Sequence, residues 1–327
     1  MSSSPTQDGA WEWTIDYARK FGLDDMYHTL TPEQVAERCS SPVLRGGMRV
    51  PDGAHVQPAR LARGLRRVLL DRGVRIYEGS DVVHYEGGAR PFAQTARGRV
   101  DSKAIVLGTG AYAAADPRFR RKILPLASYM IVTAPAPERL EDIGWTHGEG
   151  LYDFRWALHY VRTTRDGRIV MGSPTYGPGL THRVDYDEAF VGGLVRDLVR
   201  WFPSFADVPI ECGWGGPIDS TAAHTPFYGT MRGGNVHYAL GFMGEGIGPT
   251  HLAGKVLSGL ALGEDDEYTS LPMVGTSPRS FPPRPILTPG AALVYRSIVR
   301  KDSAQDHGRS PGRLTDFIAG LPARFGY

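Results

Sequence analysis

The stretch GFMGEGIGPTHLAGK, residues 241–255, sets Gly241, Gly244, Gly246 and Gly248 within eight residues, directly after the apolar run VHYAL. Glycine carries no Cβ to bar a flat or anionic ligand. A helical pattern opens at Pro249 and Thr250, so its free N–H groups and positive dipole end face whatever lies before them. The competing reading is a loop packed tightly against another backbone. A second turn, AIVLGTGAYA, fits G-x-G-x-x-A at Gly108, Gly110 and Ala113 after an apolar strand, the shape of a dinucleotide-binding turn. That fingerprint needs an acidic residue about twenty positions on. RRKILPL stands there instead, and Pro117 interrupts the helix, so a plain glycine turn leaving a sheet fits as well.

Polar side chains suited to a substrate lie in YDFRWALHYVR, residues 152–162. Read as one strand, it puts Phe154, Trp156, Leu158 and Tyr160 on one face and Arg155, Ala157, His159 and Val161 on the other. Arg155 and His159 would then face a substrate carboxylate or amine. Alternatively, Arg155 pairs with an acidic neighbour and His159 is a surface histidine. His224, in the segment before the glycine-rich turn, is a third candidate, against the commoner case of a solvated loop histidine.

The elements that must hold these groups are legible in part. TPEQVAERC starts a helix with Thr31 as cap, Pro32 in the first turn and Gln34 at the capping-box position. VQPARLARGLRRVLLDRG is an amphipathic helix with Leu61, Leu65, Val68 and Leu69 on one face, ended by Gly73. VRIYEGSDVVHYEGG reads as two short strands, and PFAQTARGRVDSKAIVLG as a hairpin leading into a buried strand over 104–107. From 123 the pattern changes to strand-like runs separated by Gly, Pro and Asp turns, with one inserted helix in YDEAFVGGLVRDLVRWFP. The tail reads as a Pro-rich connector and two surface helices.

Composition narrows the classes. The 327 residues carry a net charge of +2, and arginines far outnumber the five lysines without clustering, so neither nucleic acid nor a membrane is expected as partner. No apolar run reaches membrane-spanning length. Two distant cysteines, Cys39 and Cys212, form neither a disulfide framework nor a metal-ligand spacing, which points to a reducing cytoplasm and no metal. The N-terminus has no signal-peptide pattern.

ALGFMGEGIGPTHLAGKVLSGLALG resembles the last strand–turn–helix of the D-amino-acid-oxidase-like family of FAD-dependent oxidoreductases, of the glycine oxidase, sarcosine oxidase and γ-glutamylputrescine oxidoreductase kind. Three further segments resemble that family in its own order: AHVQPARLARGLRRVLLDRGVRIYEGSDVV, KAIVLGTGAYA and GWGGPIDSTAAHTPFYG. The resemblance covers roughly residues 10–270 and implies FAD as cofactor. It implies cofactor contacts at Val82 and Val83, at Gly108, Thr109 and Gly110, and at Gly241, Phe242, Met243, Gly244, Gly246, Ile247, Gly248 and Thr250. The helix start after Gly248 is expected to favour the negative charge of reduced flavin. The substrate is expected to be an amine or amino acid, oxidised at a C–N bond by hydride transfer to the flavin, in a pocket built from the antiparallel sheet. An NAD-dependent enzyme using the turn at 108–113 is a weaker alternative.

One departure stands out. The family opens with a strand, G-x-G-x-x-G, a helix and an acidic residue, whereas WEWTIDYARKFGLDD resembles sequence well past that unit. The resemblance therefore implies a shortened product, a fragment completed by another polypeptide, or a non-catalytic remnant that holds no flavin. The expected fold class is mixed α/β: an incomplete doubly wound FAD-binding domain interleaved with an antiparallel β substrate domain, followed by C-terminal helices. The expected limits are a disordered tail over 1–9, a substrate domain over 10–56 and 123–235, an FAD-binding domain over 57–122 and 236–270, and the connector and helices over 271–327.

Overall fold

The computed structural model describes residues 1–175 and 183–325. The chain begins with helix α1 (Glu12–Lys20), strand β1 (His28–Leu30), helix α2 (Pro32–Arg38), strand β2 (Gly47–Arg49) and helix α3 (Pro58–Asp71). Strands β3 (Val82–Glu86), β4 (Phe92–Thr95), β5 (Arg99–Asp101), β6 (Ile105–Leu107) and β7 (Leu124–Thr133) follow, then helix α4 (Pro137–Asp142). Strands β8 (Leu151–Tyr152), β9 (Tyr160–Thr163) and β10 (Ile169–Thr175) precede helix α5 (Glu188–Trp201). Strands β11 (Ile210–Ser220), β12 (Phe227–Thr230) and β13 (Val236–Leu240) lead to α6 (Pro249–Leu262), α7 (Arg284–Asp306), α8 (Arg313–Ala319) and α9 (Leu321–Phe325). The fold is mixed α/β with antiparallel sheets, as the sequence suggests.

Local signals explain several of these elements. Thr31 Oγ1 accepts the Gln34 N–H at 3.3 Å, and Gln34 Oε1 accepts the Thr31 N–H at 2.9 Å, completing the reciprocal cap of α2. The Asp187 carboxylate accepts the Phe190 N–H and so starts α5. Gly73, with φ of +80°, follows the end of α3.

Two compact units form. The first comprises Met1–Ala54, Leu126–Pro217 and the chain from Arg284 through the last helix. Its sheet has the order β11-β7-β10-β9-β8. The β7–β10, β10–β9 and β9–β8 pairs are antiparallel. On one face Tyr129, Ile131, Val161, Ile169 and Met171 pack against Val191, Leu194, Leu198 and Trp201 of α5. These α5 residues recur at helical spacing, so one stripe of the helix is buried while Arg196 stays exposed. Trp201 is fully buried, and truncating such a residue costs about 3–5 kcal/mol.

The second unit comprises His55–Pro125 and Ile218–Pro283. It holds a three-stranded sheet, β12-β13-β6, in which β13 runs antiparallel to β12 and parallel to β6. Leu107, Phe119, Ile123, Phe227, Val236 and Leu240 fill one core cluster. Tyr228 and Ala239 pack against Ala253, Val256 and Leu257 of α6 in another. The antiparallel sheet β3-β4-β5 belongs to the same unit. Helix α3 buries none of its residues, and Leu65, Val68 and Leu69 remain exposed.

The structure corrects several expectations. Residues 1–9 are not a disordered tail: Ser2, Ser3, Ser4 and Gln7 are buried, and Pro5–Gln7 forms a 3-10 turn. The segment has no apolar anchor, but its polar groups find fixed partners: Gln7 Oε1 accepts the Ser3 N–H at 2.9 Å, and Ser2 Oγ donates to Asp8 at 2.7 Å. VRIYEG forms no strand, so β3 is alone where two were expected. The stretch 152–162 is not one strand, because residues 153–159 turn between β8 and β9. The tail carries three helices, and α7 buries Ser297, Ile298 and Asp302 rather than lying on the surface. Residues 218–235, grouped by sequence with the antiparallel block, fall in the second unit, and the helices from Arg284 join the first.

Candidate functional site

In the second unit, β13 runs straight into the glycine-rich turn. Asp219, at the end of β11, gathers that turn: its carboxylate accepts the Gly241 N–H at 2.6 Å and the Phe242 N–H at 3.1 Å. Its main-chain oxygen accepts the Met243 N–H at 3.0 Å. Burial pushes the Asp219 carboxyl up, against the pull of those amides. Gly241, Met243 and Gly244 all take left-handed φ values, +87°, +59° and +86°. Gly241 serves the fold itself, since a Cβ there would overlap Thr221 Cγ2. Gly246 and Gly248 differ: a Cβ at Gly246 would meet its nearest atom at 3.4 Å, and at Gly248 it would meet nothing within 4 Å.

Past Met243, as far as Gly248, most backbone donors are open, Glu245 alone donating, to the Phe242 carbonyl at 2.9 Å. The N–H groups of Gly244, Gly246, Ile247 and Gly248 have no acceptor among the described residues, and Gly248 caps α6 without a side-chain bond. Ile247 and Thr250 stand exposed at that helix start, and Phe242 packs edge-on to Tyr228 behind the turn. This is a cradle of amides and glycines at a helix N-terminus, suited to an electron-rich planar or anionic group. It fits the flavin that the family resemblance implies.

The other expected cofactor residues also lie in the second unit. Gly108, Thr109 and Gly110 turn the chain after β6, Gly110 has φ of +50°, and a Cβ at Gly108 or Gly110 would enter open space. The chain continues as a 3-10 turn, Gly110–Ala115, not as the long helix of a primary dinucleotide fingerprint. Val82 and Val83 are exposed at the start of β3, beside a register shift. His224 is exposed, with φ of +54°, in a loop closed by Thr221 Oγ1 donating to the Thr225 carbonyl.

In the first unit, Arg155 and His159 come together, but as parts of a buried ionic cluster. His159 Nδ1 lies 2.8 Å from Asp153 Oδ2, and its Nε2 lies 3.2 Å from Asp197 Oδ2 on α5. Burial disfavours the imidazolium, yet the bonds to Asp153 and Asp197 prevail and hold the His159 pKa above its ordinary value. Arg155 pairs with Asp306 at 3.4 Å and Asp302 at 3.9 Å, both on α7. Asp302 also accepts the N–H groups of Trp156 and Ala157, and burial pushes its carboxyl up. His159 is therefore no surface histidine, and Arg155 has the acidic partners of the alternative reading.

The opposite face of the same sheet carries residues that the sequence reading passed over. Tyr152 pairs with Tyr160, Tyr160 with Gly172, and Gly172 with Met130, so these four share one face. A Cβ at Gly172 would overlap Met130 and the Tyr160 ring, which fold over it. The Tyr160 hydroxyl bonds to Ser128 Oγ. Arg162 lies on this face, two residues beyond Tyr160, with no acceptor among the described residues. Gly213 and Gly215 point toward Val191 and Tyr129 on the α5 side, which turns Cys212 and Trp214 to this face. Arg162 has the parity of Phe154 and Tyr160, the face opposite the one on which the sequence places Arg155 and His159.

Together these features define a two-unit α/β protein with a strand–glycine turn–helix cradle and a polar, aromatic sheet face. The sequence profile described as FAD dependent oxidoreductase (DAO) matches residues 2–260, and the chain belongs to that family. The family's cofactor is FAD. The chain is 29% identical over 257 residues to "Probable oxidoreductase OrdL" of Haemophilus influenzae, covering 77% of this chain and 57% of that protein. It is 26% identical over 241 residues to "Gamma-glutamylputrescine oxidoreductase" of Escherichia coli, covering 73% and 55%. The chain thus spans little more than half the length of these relatives. Among solved structures, glycine oxidase from Geobacillus kaustophilus superposes with a TM-score of 0.69 at 19% identity, over 84% of this chain and 73% of that one. L-Proline dehydrogenase from P. horikoshii gives 0.68 at 18%, over 84% and 73%. Both share the fold.

Proposed function

We propose that the chain carries the cofactor-facing turn and the substrate-facing sheet of an FAD-dependent oxidoreductase that oxidises the C–N bond of an amine or amino acid. The observation that carries this reading is the run of open amides at Gly244, Gly246, Ile247 and Gly248 on the head of α6. Bound FAD supplies the hydride acceptor. The chain's own residues bind and orient: the helix start favours negative charge gained by the cofactor, and the glycines admit a flat ring. Arg162 pairs with a substrate carboxylate, while Tyr152, Tyr160 and Trp214 supply apolar walls that exclude water. The family membership and the matches to an amine and an amino-acid oxidoreductase support the substrate class. The two free cysteines suit a reducing cytoplasm.

We further propose that a segment outside these residues, carried by another polypeptide or by a longer form of the chain, supplies the nucleotide-holding unit. Strand β6 is an edge strand with Val106 half exposed. The uncovered apolar stripe of α3 belongs to the same unit. Open strand edges and apolar faces of this kind call for a partner.

The test is to express the chain alone and together with about 100 residues bearing a G-x-G-x-x-G turn. The readouts are soluble yield and absorbance near about 450 nm, where oxidised flavin absorbs. Flavin retained only in the completed form supports both proposals. A soluble, yellow chain on its own removes the need for the added unit, and a colourless completed form refutes flavin binding and favours a non-catalytic family remnant.

A further inference from the structure

Asp219 stands out within the second unit. It is only 5% exposed, no arginine, lysine or histidine pairs with it among the described residues, and three successive backbone N–H groups converge on it. A buried carboxylate without a cation is costly unless hydrogen bonds replace its water. A neutral acceptor at this position would shape the turn with less desolvation, so the charge calls for a role of its own.

The geometry shows what that charge organises. Residues 241–243 turn their amides inward to Asp219, and Met243 is held in a left-handed conformation that a side chain disfavours. His224 is the other described non-glycine residue with positive φ. By claiming these three donors, Asp219 sets the direction of the chain at Gly244, and the next donors, at Gly244, Gly246, Ile247 and Gly248, are left free at the head of α6. Without it, Met243 would relax toward right-handed φ, and the chain beyond it would lose the path that the turn sets.

We propose that Asp219 is a positioning residue for the cofactor cradle: it locks residues 241–244 so that the amides beyond them face the flavin, and its fixed negative charge beside the turn opposes the gain of negative charge on reduction. The inference rests on the reading of the turn as the flavin-facing element. It requires no direct contact between Asp219 and the cofactor. The carboxylate acts through the main chain and through its field, which is strong where water is excluded.

The experiment compares Asp219→Ala and Asp219→Asn with the unaltered protein, each in the completed form described above. Amide hydrogen exchange over 241–248 is followed without cofactor, the FAD dissociation constant by fluorescence, and the midpoint potential of the bound flavin by spectroscopic titration. In Asp219→Ala, exchange at 241–243 should rise at least 10-fold and FAD should bind at least 10-fold more weakly, with exchange over 126–133 in the other unit unchanged. Asp219→Asn retains an acceptor oxygen without the charge. It should restore most of the protection and binding, yet shift the midpoint potential to more positive values, which a merely structural role would not do. FAD affinity in Asp219→Ala equal to that of the unaltered protein overturns the positioning role. An unmoved potential in Asp219→Asn overturns the electrostatic role. Unaltered protein that binds no FAD overturns the flavin reading itself, and this inference with it.

Discussion

His159 Nδ1 lies 2.8 Å from Asp153 Oδ2, with both side chains almost sealed from solvent. The second ring nitrogen meets Asp197 of α5 at 3.2 Å. One imidazole thus ties the 153–159 loop to the helix that covers the sheet, and Arg155 in the same loop reaches the carboxylates of α7. Residues of the type expected at a reacting centre are instead engaged in holding the first unit together.

This cluster predicts a pH dependence with two limbs. The His159 pKa is raised in the folded chain, so its contribution is fully present below the ordinary value of 6.5 and is lost as pH rises through the folded value. The Asp197 pKa is lowered: burial acts to raise it, but the bond to His159 prevails. Its contribution is present above the ordinary 3.8 and is lost as pH falls through the folded value. Thermal unfolding should therefore show a midpoint that declines on the alkaline side, and His159→Gln should lower stability by about 3 kcal/mol and flatten that decline. An alkaline limb as steep in the variant as in the unaltered protein would assign it to another group.

Arg155→Met should act on stability rather than on substrate affinity. Removing the guanidinium leaves Asp302 buried without a cation, while Asp306 keeps Arg200 at 3.5 Å, at a cost of about 3 kcal/mol. Limited proteolysis should then cut α7 sooner, while KM for any substrate stays within about twofold for protein that remains folded. A large KM rise with unchanged proteolysis would return Arg155 to the substrate.

Arg162→Met should do the reverse. With no acceptor among the described residues, Arg162 contributes little to the fold, and a lost charge-assisted bond to a substrate carboxylate is worth about 1.5–3 kcal/mol. KM for amino acids should rise roughly 10- to 100-fold, and for amines lacking a carboxylate it should hardly change. Equal effects on both substrate kinds would argue that Arg162 shapes the sheet face without binding the carboxylate.

Gly246→Val separates space for a ligand from space for the chain. Its Cβ meets Phe242 at an ordinary 3.4 Å, and Gly246 is not among the glycines with positive φ, so the fold should lose no more than about 1 kcal/mol. Flavin affinity should fall at least 10-fold, because the branched side chain enters the cradle. Unchanged flavin affinity in a folded variant would place the ring elsewhere.

Much of the local architecture follows from the sequence by itself. The reciprocal cap at Thr31 and Gln34, the end of α3 at Gly73, the helix over α5, and the strand–turn–helix from Val236 through Leu262 are written in residues at most a few positions apart. Their physics is local: a side chain satisfying a nearby amide, a glycine taking a left-handed φ, a stripe of apolar residues at helical spacing. The chemistry of Arg155, His159 and Asp219 was decided by tertiary structure. His159 meets Asp197 from 38 residues away, Ala157 meets Asp302 from 145, and Asp219 meets Gly241 from 22. No periodicity in the chain encodes those encounters, because each depends on which segments the folded units bring together. The serine-rich start reads in sequence as a tail for the same reason: Ser3 finds Asp153 across 150 residues, and a polar segment becomes part of the interior only when distant groups satisfy its hydrogen bonds.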